Sequence, residues 1–126
     1  NERKKPPYSN IILASDSLVM KIEGIIREVF CILNKSTFTI RREKGGKSIT
    51  TEKDLNALLI DDFAKEIFND DLVLLMRFLL TEPLGHNLRN NIGHCLIQKE
   101  HYNFSDLHLL FLIILRLGNY RFEKQG

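Results

Sequence analysis

Cysteine is scarce in this chain. Only Cys31 and Cys95 occur in 126 residues, at a spacing that fits no metal or redox motif. Two free thiols in a reducing cytosol are predicted. Long apolar runs are lacking too: the longest, Leu109 to Leu115, falls far short of the ~20 residues a membrane span needs. No signal-peptide pattern is present, so the chain reads as cytoplasmic with no membrane partner. Lys44-Gly45-Gly46-Lys47 has neither the spacing nor the hydroxyl of a phosphate-binding loop. His86 and His94 could share a helical face, as could His101 and His108, but neither pair has a carboxylate set at ligand spacing. No metal and no cofactor is therefore expected. No repeat of 20–50 residues is visible.

What is present is an ordinary globular balance, 44% apolar and 27% charged residues, enough for one domain with a single core. Because the first residue is Asn1, the chain reads as a domain cut from a longer protein. The net charge is only +2, but it is unevenly placed. Residues 1–50 carry ten Lys/Arg against five Asp/Glu, residues 51–82 three against eight, and residues 83–126 five against three. A polyanion would approach the first or last third.

Residues 1–10, NERKKPPYSN, read as a flexible linker and residues 11–126 as the domain. From Ile11 to Leu33 apolar residues recur at three- and four-residue spacing, predicting one helix of about 23 residues. Gly24 within it suggests a close helix–helix contact. Residues 35–51 break that period: Phe38 and Ile40 alternate with threonines ahead of a Gly-Gly turn, predicting a short hairpin or extended loop. It carries Arg41, Arg42, Lys44 and Lys47, either a solvated loop or a flap that touches phosphates. A helix beginning near Thr51 and Asp54 follows, with a stripe from Leu55 to Phe68. Another runs from the Asn69 cap through Leu79 to Pro83 and Gly85, and a short one over Asn87–Leu96. The last helix, capped by Asn103, is apolar nearly all round, which predicts one face in the core and another at a subunit or domain interface. The sum is an all-α bundle of about five helices with a basic hairpin or loop after the first.

Residues 80–98, LTEPLGHNLRNNIGHCLIQ, concentrate polar side chains between apolar segments. His94 suits proton transfer near neutrality. Arg89 offers a permanently charged planar fork for phosphate oxygens. Asn90, four residues before His94, could fix the imidazole. Arg89 and His94 lie about 140° apart around a regular helix. They can cooperate only if the helix is irregular near Gly93, if the arginine reaches round, or if a second subunit completes the site. The competing reading is a surface salt-bridge and capping cluster. His86 is either a second acid–base group or a surface histidine near a cap, with Asn87 beside it. His108, among leucines, reads as a core or interface histidine. Cys95 and His94 are neighbours and point about 100° apart in a helix, which argues against a nucleophilic pair.

NLRNNIGH, Asn87 to His94, resembles the RNxxxH signature of HEPN domains (higher eukaryotes and prokaryotes nucleotide-binding). More narrowly, PxGxNLRNxxxH resembles a bacterial and eukaryotic subfamily of uncharacterised domains carrying RNxxxHG. The glycine usual after the histidine is Cys95 here, a departure at the point where the histidine must project. The resemblance implies a bundle of four to five helices, dimerisation, and Arg89, Asn90 and His94 in a cleft between protomers. It also implies metal-independent cleavage of single-stranded RNA, by 2′-hydroxyl attack on the adjacent phosphorus. His94 would move the proton and Arg89 would stabilise phosphoryl charge. A toxin, phage-defence or RNA-processing context follows, with an antitoxin or the remainder of a longer protein as partner. His94→Ala or Arg89→Ala is then expected to abolish cleavage and leave the fold intact. The rival is a non-catalytic helical module for dimerisation or for RNA or protein contact. Convergence of Arg89 and His94 on a common cleft favours the enzyme; burial of either in ion pairs favours the module.

Overall fold

The computed structural model describes residues 8–98 and 101–122. Helix α1 spans Tyr8–Ile32, beginning inside the stretch expected as linker; residues 1–7 of that stretch lie outside the described residues. Strands β1 (Phe38–Arg42) and β2 (Ser48–Glu52) follow, then α2 (Leu55–Ile60), α3 (Asp62–Ile67) and α4 (Asp70–Met76). A π-helical turn over Arg77–Thr81, α5 (Leu88–Gly93) and α6 (Phe104–Gly118) complete the order.

The fold is thus not all-α with about five helices: among the described residues there are six α-helices and a two-stranded antiparallel sheet. The sheet forms because residues 38–42 alternate in type and pair in register, Phe38 with Glu52, Ile40 with Thr50 and Arg42 with Ser48. Gly45 and Gly46, both at positive φ, turn the chain between the strands. Every residue of both strands is exposed, so the hairpin projects from the bundle.

The extra helix arises at Asp61. Its backbone is extended, and its carboxylate accepts the Phe63 N–H at 2.9 Å and the Lys53 ammonium at 3.2 Å. Those contacts, the Phe63 N–H foremost, hold the Asp61 carboxyl below its ordinary pKa of 3.8 against the opposing effect of burial. What reads as one stripe from Leu55 to Phe68 is therefore two short helices joined at a capping residue. Asp54, which accepts the Ala57 N–H at 2.8 Å, caps α2, and Thr51 belongs to β2.

The core is the inner stripe of α1 (Val19, Ile22, Ile26, Val29, Phe30) packed on Leu58, Leu59, Leu72, Met76, Leu79, Leu80, Leu110 and Ile113. Each such burial is worth about 1.5–3 kcal/mol. Gly24 falls on the opposite side: it is exposed, and a Cβ there would meet nothing within 4 Å, so no close helix contact explains it. Helix α6 buries Leu107, Leu110, Ile113 and Leu117, while Phe104, Phe111, Leu112 and Leu115 remain exposed. Among the described residues no helix is long and apolar enough to cross a membrane.

Candidate active site

The site is built around α5 by the turn that precedes it. The π turn widens the end of the α4 rod, and the carbonyl of Phe78 accepts the backbone N–H of His86 at 3.0 Å. This brings the chain back so tightly that a Cβ on Gly85 would collide with the Phe78 carbonyl; only glycine fits there. Asn87 then takes a left-handed conformation (φ 50°, ψ 38°), which asparagine tolerates. Its side chain leaves the helix end uncapped and instead accepts from the Asn90 amide at 2.9 Å. The Asn91 amide donates to the His86 carbonyl at 3.2 Å. Leu88, buried, seats α5 against the body, where it packs on α1 and the π turn.

Arg89 points to α1. Its Nε donates to Oε2 of Glu23, whose other oxygen accepts from Nη2 of Arg27 at 3.0 Å. Arg27 Nη2 also donates to the Lys53 carbonyl at 2.7 Å, just past the end of β2. The Glu23 side chain is 8% exposed and that of Arg89 27%. One buried carboxylate therefore serves two guanidiniums, leaving one positive charge in excess. The two terminal amino groups of Arg89 make no hydrogen bond to any described residue. They lie across the last turn of α5, where a Cβ on Gly93 would strike Nη1. The arginine thus reaches round the helix to the residue before His94.

His94 is the C-cap of α5, exposed, with no side-chain hydrogen bond to any described residue. Asn90 does not orient it: the Asn90 amide donates to Asn87 Oδ1, and no side-chain hydrogen bond joins Asn90 to His94. After His94 the chain closes a Schellman turn: Cys95 is left-handed (φ 54°), its N–H donates to the Ile92 carbonyl at 3.1 Å, and the Leu96 N–H donates to the Asn91 carbonyl at 2.7 Å. Cys95 accordingly occupies a position that suits glycine.

Comparison with protein-family models, curated proteins and solved structures finds no match.

Residues outside the motif complete the surroundings. His86 Nδ1 lies 2.6 Å from Oδ1 of Asp106, in the first turn of α6, and its ring packs on Phe78 with centroids 5.1 Å apart. Tyr102 donates its hydroxyl to Asp16 of α1 at 2.7 Å. Burial foremost, with that hydrogen bond, pushes its phenol well above the ordinary range, so it remains protonated. Arg41, Arg42, Lys44 and Lys47 are exposed on the hairpin and none forms an ion pair with a described residue. Among the described residues no group of three or more His, Cys, Asp or Glu could hold a metal ion.

Sequence reasoning missed Glu23 and Asp106. The signal for Glu23 was its register: it falls four residues after Val19 and three before Ile26, on the buried stripe, where a lone carboxylate needs a cation. Asp106 carried only the weaker signal of an acid three residues after the Asn103 cap.

Proposed function

We propose that this chain is a metal-independent RNA-cleaving domain of the HEPN type, acting as a cytoplasmic homodimer in a toxin, phage-defence or RNA-processing system. One observation carries the reading: a buried carboxylate grips Arg89 by Nε alone and leaves its outer amino groups open, one residue from an exposed histidine. An arginine fixed in that way enters the reaction already oriented, so charge building on phosphoryl oxygens meets a cation that need not reorganise. His94 exchanges a proton with the 2′-hydroxyl or the leaving oxygen; the 2′-oxygen bonds to phosphorus and the 5′-oxygen departs. The 2′-hydroxyl is the nucleophile, so DNA is inert. The four hairpin cations attract the strand. The exposed Phe111–Leu115 side of α6 supplies the subunit contact, and an antitoxin or further domains of a longer protein restrain activity.

The test is incubation of purified protein with single-stranded RNA in EDTA. Cyclic phosphate ends from the native chain, and none from His94→Ala, support the proposal; undiminished cleavage by His94→Ala overturns it. A second reading, the non-catalytic dimerisation or RNA/protein-interaction module, is the one that an ion pair at Arg89 favours: Glu23, 8% exposed, neutralises part of the charge that Arg89 would present, while the Arg89 side chain itself stays 27% exposed. RNA retention without cleavage is its expected signature.

A further inference from the structure

We propose that His86, positioned by Asp106, is the general acid that protonates the leaving 5′-oxygen, while His94 takes the proton of the 2′-hydroxyl; this rests on the ribonuclease reading above. Transesterification needs both transfers, because one O–H is lost as the 2′-oxygen–phosphorus bond forms and one is made as the phosphorus–5′-oxygen bond breaks. A single imidazole cannot serve both oxygens at the same instant.

His86 is the more firmly built of the two histidines. Its backbone N–H is bound to Phe78, its carbonyl to the Asn91 amide, and its ring to Asp106 and the face of Phe78. Asp106 is itself fixed: it is buried, its backbone N–H donates to Asn103 Oδ1 at 2.8 Å, and its Oδ2 accepts from Asn103 Nδ2 at 3.3 Å. A carboxylate can only accept, so Nδ1 of His86 carries a hydrogen in both protonation states, and Nε2 is the atom that gains and gives the mobile proton. The His86 side chain is 42% exposed, open enough for a strand to reach Nε2. The division of roles follows from the neighbours. His86 has a carboxylate 2.6 Å from Nδ1 that holds its ring in one orientation, whereas His94 has no acidic partner among the described residues. Asp106 touches no reacting atom; it is a positioning residue of the kind that holds an imidazole in one tautomer. Gly85, which admits the close return to Phe78, sets His86 in the turn that leads into α5, three residues before Arg89 in the chain.

The experiment compares cleavage of ordinary RNA with that of the same oligonucleotide carrying sulfur in place of the scissile 5′-oxygen, since a thiolate leaves without a proton. His86→Ala and His86→Gln are expected to slow ordinary cleavage by roughly 10²–10⁴-fold and to cut the thio-substrate near the native rate. Asp106→Asn should show the same pattern more weakly, with partial recovery in Asp106→Glu, and His94→Ala should be slow on both substrates. Native rates on ordinary RNA in both His86 variants, or equal slowing on both substrates, overturn the role of His86 and leave the ribonuclease reading in place. Failure of the native chain to cut either substrate overturns both.

Discussion

Replacing Cys95 by glycine should make the protein more stable, although it removes a side chain. Cys95 holds φ at 54° to close the turn after His94, with the Leu96 N–H on the Asn91 carbonyl at 2.7 Å. A side chain in that conformation costs about 1–2 kcal/mol through the contact of Cβ with its own carbonyl. Glycine escapes that cost but gives the unfolded chain more freedom, worth about 0.4–1 kcal/mol in the opposite direction. Cys95 is exposed, so no burial is lost with its thiol. The difference favours glycine by about 0.5–1 kcal/mol, or a rise of roughly 2–4 °C in melting temperature for a domain of this size. Thermal melts followed by circular dichroism, in reducing buffer, measure it. Cys95→Ala is the control: it also removes the thiol but keeps Cβ, and should melt with the native chain. If the glycine variant melts no higher than the alanine variant, the left-handed turn at Cys95 carries no strain.

Four further outcomes follow from the packing. Gly24→Ala should stabilise by about 1 kcal/mol, since the position is an open helix interior; an equilibrium urea titration that shows destabilisation refutes this. Gly85→Ala should destabilise by more than about 2 kcal/mol and slow RNA cleavage, because Cβ cannot coexist with the Phe78 carbonyl; a native melting curve would contradict the geometry. Gly93→Ala should leave the melt nearly native but lower cleavage, by pushing the flexible end of Arg89 aside; kinetics on single-stranded RNA decide it. Asp61, whose folded-state pKa is depressed, contributes stability fully present above the ordinary carboxylate range and lost as pH falls below about 3.8; Asp61→Asn should flatten that acid limb of a stability–pH profile.

The long first helix and the capped last one were legible because burial imposes a three-to-four periodicity that composition cannot hide. The break at Asp61 was not: Leu58, Leu59, Phe63 and Ile67 keep their spacing across it, and only the carboxylate's preference for capping Phe63 divides the helix. The π turn left no mark either, since one extra residue per turn leaves Leu79 and Leu80 just as apolar. Gly24 was misread because a glycine in a helix has two explanations, close approach and mere tolerance, which only neighbours in space distinguish. For the candidate site, Arg89, Asn90 and His94 stood out as a local pattern. Their supports did not, since Glu23 lies 66 residues from Arg89 and Asp106 lies 20 from His86, and no local rule links such pairs. The assignment of Asn90 to His94 failed for a related reason: Asn87, in its left-handed turn, accepts the Asn90 amide instead.

The shared grip of Glu23 makes inactivation experiments at position 89 ambiguous in a specific way. Truncating Arg89 strands half of an anion inside the protein with only Arg27 to answer it, so lost turnover and a loosened helix pair would arrive together. Neutralising the acid in the same molecule, as Glu23→Gln with Arg89→Met, removes both halves of the liability and gives a silent form whose silence can be trusted.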